Sequence, residues 1–298
     1  MKLDTRNIYA ERMLRVLNHV QGHLDGALDL NELASLAHFS VSHFHRVFKG
    51  MIGETIMDHV RRIRMERAFI ALSGGSEPVT EIAFDAGYEA LEAFSRAFRK
   101  SYGLSPTQCR ENGCHRQFNL VPSGVHFGTG EIVEILFDNT GVACMNVRIE
   151  TLPERRIALV RQTGPYQESS PRAWGMLCSW AGPQGLIRPT SLLLGIGHDD
   201  PTITAPEEIR YDAAVVLEEE VNVTAPVTLG TLQGGDYAII THQGPYEKLE
   251  ESYKAIMGKW IPSSGREMRD CPVFEVYLNN PETTPADQLL TDIYIPLK

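Results

Sequence analysis

Apolar residues recur at steps of three and four through the first third of the chain. In FSRAFRKSYG (94–103), Phe94, Phe98 and Tyr102 share one helix side, while Arg96, Arg99 and Lys100 face elsewhere. The pattern already occurs in FHRVFKGMIG (44–53), where Phe44, Arg46, Phe48, Lys49 and Gly53 align with Phe94, Arg96, Phe98, Arg99 and Gly103 at an offset of 50. Upstream, ELASLAHFS (32–40) aligns with EIAFDAGYE (81–89) at an offset of 49. One small unit is therefore present twice in tandem.

Each unit predicts helix, turn, helix. Asp29 and Glu32 have capping-box spacing, Leu33, Leu36 and Ala37 follow at helical steps, and Ser40 is placed to cap the second helix. The second helices are expected over about 41–50 and 91–101. Between the units, residues 55–72 contain neither Gly nor Pro and predict one helix, long enough to space two reading heads along a DNA duplex. Its Arg61, Arg62, Arg64 and Arg67 are candidates for phosphate contacts. A further helix over about 6–24, with Met13, Leu17, Val20 and Leu24, is expected to cover the core.

The pattern changes after residue 110. Residues 111–146 are turn-rich and predict a connector with short strands, one at EIVEILF (131–137). From 147 a second repeat runs at a constant offset of 80: Thr151-Leu152 meets Thr231-Leu232, Gly164-Pro165-Tyr166 meets Gly244-Pro245-Tyr246, and Trp180 meets Trp260. Each copy predicts strand, GPY turn, helix, strand, strand. Tyr253, Ile256, Met257 and Trp260 form the expected apolar stripe of the second helix, against Ala173, Met176, Leu177 and Trp180 in the first. Alternation in VFEVY sets Glu275 and Tyr277 opposite Phe274 and Val276. A carboxylate is costly to bury, so Glu275 is expected on the face away from the helix. Its counterpart in the first copy is Gly195, which leaves space. A carboxylate beside an aromatic, opposite a gap, suits a cationic, partly apolar ligand; the bland alternative is a surface Glu paired with an Arg.

The predicted domains are therefore 1–112, a linker 113–146, and 147–298 with repeats 147–226 and 227–298. Charge sharpens this division. The chain nets −10, yet residues 1–110 hold 14 Lys+Arg against 13 Asp+Glu, and residues 111–298 hold 14 against 25. The overall acidity belongs to the second part and does not exclude a nucleic-acid partner for the first. With 43% hydrophobic residues there is ample core material. No apolar run has the length of a membrane span or signal sequence, so a cytoplasmic protein without a membrane partner is expected. Cys109, Cys114 and His115 lack the paired spacing of a zinc site, and His19 with His23 forms no HExxH, so no metal is expected. There is no GxSxG, P-loop or GxGxxG, so neither cofactor nor catalytic residue is assigned.

Residues 10–112 resemble the DNA-binding domain of the AraC/XylS family of bacterial transcription regulators. The resemblance is densest in IAFDAGYEALEAFSRAFRKSYGLSPTQCR (82–110), with its Ala-x-x-x-Gly-aromatic turn, Phe-Ser-Arg-x-Phe helix and Gly-x-Ser-Pro. It implies an all-α domain of two helix-turn-helix units on promoter DNA, with RNA polymerase as a further partner. The family's base-reading positions fall on Ser42, His45 and Arg46, and on Glu92, Ser95 and Arg96. His43, Lys49, Arg99 and Lys100 complete the polar sides of the two helices. Residues 147–298 resemble the GyrI-like effector-binding domain through the paired GPY turns, GIGHDDPTITAPEEIRYDA and FEVYLNNP…TDIYIPL. That resemblance implies a duplicated α+β domain with antiparallel sheets, holding a small-molecule effector. The family's ligand-facing glutamate falls on Glu275, with Tyr277, Trp174 and Tyr166 as candidate walls. Two other classes compete: a small-molecule hydrolase with Glu275 as general base, and a protein-docking domain.

Overall fold

The structure is a computed structural model that describes every residue except 1–4, 113–117, 119, 137–141, 143, 144 and 189. The chain divides into two compact units, residues 7–138, and 139–298 with 1–6.

In the helical unit, α1 (Thr5–Gly22) precedes the first helix-turn-helix, α2 (Leu30–Leu36) and α3 (Val41–Ile52). The long α4 (Ile56–Gly74) leads to the second, α5 (Val79–Asp85) and α6 (Leu91–Tyr102), followed by α7 (Pro106–Asn112). The repeat is reproduced bond for bond. Ala37 N donates to Leu33 O and Phe39 N to Ala34 O; forty-nine residues on, Ala86 N donates to Ile82 O and Tyr88 N to Ala83 O. The turn needs a left-handed residue, which is His38 (φ 55°) in the first copy and Gly87 (φ 84°) in the second. Gly53 and Gly103 then close α3 and α6 equivalently. Asp29 caps α2, accepting from Asn31 N, whereas Ser40 caps α3 without a side-chain hydrogen bond. Phe94 and Phe98 reach the core shared with Phe69, Ile82 and Cys109.

The described residues of the expected connector up to 136 belong to this unit, and 142, 145 and 146 to the other. The Asn18 side chain pairs with Ile132 N and O, and Gln21 with Gly128 N and Gly130 O. Glu66 on α4 accepts from Phe127 N at 2.8 Å and lies 3.0 Å from His126 Nδ1. Residues 131–136 form no strand: the Asn18 side chain of α1 takes both backbone groups of Ile132, and Leu136 N donates to Ser123 O. Phe137 lies outside the described residues.

The second unit is one antiparallel eight-stranded sheet in the order β1-β6-β8-β7-β3-β4-β2-β5. Copy one supplies β1 (Val147–Leu152), β2 (Arg155–Thr163), β3 (Leu193–Gly197) and β4 (Arg210–Val216). Copy two supplies β5 (Thr228–Leu232), β6 (Gly235–Gln243), β7 (Phe274–Tyr277) and β8 (Leu290–Pro296). Each copy lends its first strand to the other: β1 pairs with β6 and β5 with β2. The halves meet at β3–β7, where Gly195 is registered opposite its own counterpart Glu275, so the pseudo-two-fold axis passes through this pair. The helix α8 (Tyr166–Ala181) packs through Ala173 and Leu177 on Ala158, Val160, Ala213 and Val215. Its counterpart starts as α9 (Leu249–Ala255) and continues through a π turn, Ile256–Trp260.

Candidate functional site

The two reading helices differ in exposure. On α6, Glu92, Arg96, Arg99 and Lys100 are exposed and Ser95 is half-buried. On α3, Ser42, Arg46 and Lys49 are half-buried, and His43 and His45 are buried, His45 completely. In this conformation neither imidazole is at the surface where a base edge would meet it. The α6 counterparts, Ala93 and Ser95, are half-buried. The arginines of α4 also depart from expectation. Arg62 holds Glu54 and Glu66, Arg64 donates to Leu24 O and Gly26 O, and Arg67 to Asp25 and Asp85 O. They tie α4 to the turn after α1, to the turn between α3 and α4, and to the end of α5; Arg61, exposed beside Asp58, stays at the surface. Cys109 is buried, and Cys114 and His115 lie outside the described residues.

The effector candidates converge on the helix-bearing face of the sheet. Tyr253, from α9, donates to Glu275 Oε1 at 2.9 Å, and Tyr277 donates to Oε2 at 2.8 Å. Glu275 therefore lies on the side opposite to the expected one. Hydroxyl donors between the two helices remove the penalty that had argued against this face. Tyr211, from β4, lies 3.0 Å from the Tyr277 hydroxyl, and Trp174 Nε1, from α8, donates to Tyr211 at 2.9 Å. Tyr277 receives Trp174 and Tyr246 edge-on at ring distances of 5.7 and 5.4 Å. Tyr166 meets the Tyr211 ring at 5.9 Å and donates its hydroxyl to Asp199 O.

Burial, reinforced by Glu275, raises the Tyr277 phenol well above its ordinary value, raises Tyr246, and pushes Tyr211 up to about 12. All three remain neutral donors around pH 7. The gap expected opposite Glu275 is real but filled: a Cβ at Gly195 would lie 2.3 Å from the Tyr277 hydroxyl and 2.5 Å from that of Tyr211. Only glycine permits this approach.

The site is asymmetric about its axis. Gly195 stands opposite Glu275, and the counterparts of Tyr277, Tyr211, Tyr253 and Trp174 are Gly197, Thr291, Ala173 and Lys254. Sequence reading missed Tyr211, Tyr246 and Tyr253. Tyr246 was available as the partner of Tyr166 in the second GPY turn, and Tyr211 and Tyr253 as mismatches in the aligned copies. The expected apolar stripe had claimed Tyr253 for the core, whereas its hydroxyl faces the carboxylate.

A helix-turn-helix pair joined in one chain to a duplicated α+β unit with a polar centre is the architecture of a DNA-binding regulator that answers to a small molecule. Residues 33–112 match a helix-turn-helix domain and residues 145–298 the GyrI-like small molecule binding domain. The chain belongs to this GyrI-like family and joins its domain to a DNA-binding domain of AraC type. YosT, a prophage-derived protein of Bacillus subtilis (strain 168), is 35% identical over 155 residues, covering 52% of this chain and all of its own. YgiV of Escherichia coli (strain K12) is 35% identical over 36% of this chain and 68% of its own length. The transcriptional regulator Rob of Salmonella typhimurium is 24% identical over 94% of this chain and 95% of its own, so both domains align in one chain.

Proposed function

We propose that this chain reads promoter DNA with α3 and α6 and changes transcription when a cationic, partly apolar effector occupies the site at Glu275. The observation that carries the effector reading is the half-buried carboxylate on the pseudo-two-fold axis, ringed by Trp174, Tyr246, Tyr253 and Tyr277. Aromatic faces and a fixed negative charge attract an organic cation, and the apolar ring edges favour one with little hydration. For DNA, the support is the exposed Arg96, Arg99 and Lys100 on the second head, together with alignment to Rob over nearly the whole chain. RNA polymerase is the remaining partner in this reading, and the bacterial cytoplasm the compartment. No helix among the described residues is long and apolar enough to cross a membrane.

Sensing is favoured over hydrolysis because the domain is joined to a helix-turn-helix domain and the chain aligns with the transcriptional regulator Rob over 94% of its length.

Calorimetric titration with tetraphenylphosphonium tests the site. Glu275→Gln keeps the size of the side chain, and is expected to weaken the cation about tenfold or more while the neutral triphenylphosphine oxide binds as before. Equal affinity of wild type and variant for the cation removes Glu275 from the site.

A further inference from the structure

The hydrogen bonds behind Glu275 have a direction. An indole N–H only donates and an ionised carboxylate only accepts, while each phenol has one proton to give. Trp174 Nε1 donates to Tyr211 at 2.9 Å, Tyr211 lies 3.0 Å from Tyr277, and Tyr277 donates to Glu275 Oε2 at 2.8 Å. With Tyr277 committed to the carboxylate, only Tyr211 can donate in the central bond; Ser170 is a further hydrogen-bond partner of the Tyr211 hydroxyl. Protons therefore point along one line from α8, through β4 and β7, to Glu275.

We infer that Tyr211, backed by Trp174, is a positioning residue that keeps the Tyr277 hydroxyl aimed at Glu275 and so sets how strongly the site prefers an aryl cation to a neutral aryl ligand. Tyr211 is 4% exposed, so it acts from behind the site. Glycine at 195 is what lets both phenol oxygens lie over β3: a Cβ there would stand 2.5 Å or less from each. The second copy places Thr291 and Lys254 at the equivalent positions, so it cannot form the same line. A donor into the Tyr277 oxygen also polarises its O–H, strengthening the bond to the carboxylate. Without that donor the Tyr277 proton is free to turn away, and the negative charge loses part of its support.

The inference rests on the reading of Glu275 as the effector carboxylate, and one experiment separates the two. The intact chain and its Tyr211→Phe variant are titrated calorimetrically with tetraphenylphosphonium and with triphenylphosphine oxide. Wild type is expected to prefer the cation, and Tyr211→Phe to reduce that preference about threefold to tenfold with the neutral ligand little changed. Should Tyr211→Phe fail to fold, a fluorinated tyrosine at position 211, a stronger donor of nearly the same size, decides: the ratio is expected to rise, and an unchanged ratio overturns the inference. An unchanged ratio, or equal losses for both ligands, makes Tyr211 structural only and overturns the inference. A wild type without preference for the cation overturns the effector reading itself, and this inference with it.

Discussion

Arg96 stands exposed on α6, three residues from Arg99 and on the side opposite Phe94 and Phe98, which are fully buried. A long side chain so placed is free to reach a guanine edge or a phosphate. Arg96→Ala is expected to cost about 1–3 kcal/mol of specific DNA binding if it reads a base, measured by gel shift on a duplex selected from random sequence. Unchanged affinity would remove Arg96 from the reading surface. At this scale the sequence was informative about grouping and weaker about surroundings. Alternation placed Glu275 with Tyr277 correctly, because the pleat alone decides that. It did not tell which face the helices cover, since Tyr253, whose hydroxyl helps make burial of the carboxylate tolerable, comes from another element. His43 and His45 show the same limit: helical periodicity orders them on α3, but their burial depends on everything packed around it.

The buried ionic group on α4 is a property of an element and its neighbours. Glu54 accepts from His59 and Arg62, and Arg62 bridges to Glu66, which also holds the 126–127 backbone and imidazole. Burial works against ionisation of Glu54, but the bonds from His59 and Arg62 hold it down to about 2. Burial pulls the His59 imidazole below its ordinary value. Both groups bind protons more tightly when unfolded, so both add stability at neutral pH that is lost on acidification. The loss is expected to begin as pH falls through about 6.5, from His59, and to steepen below about 4.5, from Glu54. Thermal melts of the intact chain from about pH 8 to about pH 3 check this. Glu54→Gln should flatten the steeper part, and an unaltered profile would deny Glu54 that role. This network explains why residues 120–136 looked like a connector. Their order comes from Asn18, Gln21 and Glu66, far away in the chain, and leaves no local periodicity. The helix-turn-helix copies were legible because their turns, caps and cores are local. The exchange of β1 and β5 was not, because an 80-residue offset identifies equivalent strands without saying which copy they pair with.

On the scale of the whole molecule, the two duplications have been used differently. In the helical unit both copies keep the basic reading helix, though with unequal exposure. In the sheet unit the copies have diverged at the axis, so that one contributes glycines and a Trp–Tyr pair while the other contributes the carboxylate and its phenol. Small-molecule binding can alter transcription only if it distinguishes between states of the DNA-bound chain, and by linkage the effect equals that difference in affinity. Transcription in vitro from a promoter carrying the selected sequence, with purified bacterial polymerase, tests this directly. Output with wild-type protein is predicted to change on adding tetraphenylphosphonium, while output with Glu275→Gln stays at the value without cation. A response that is absent with wild type, or equal for both proteins, would contradict the account.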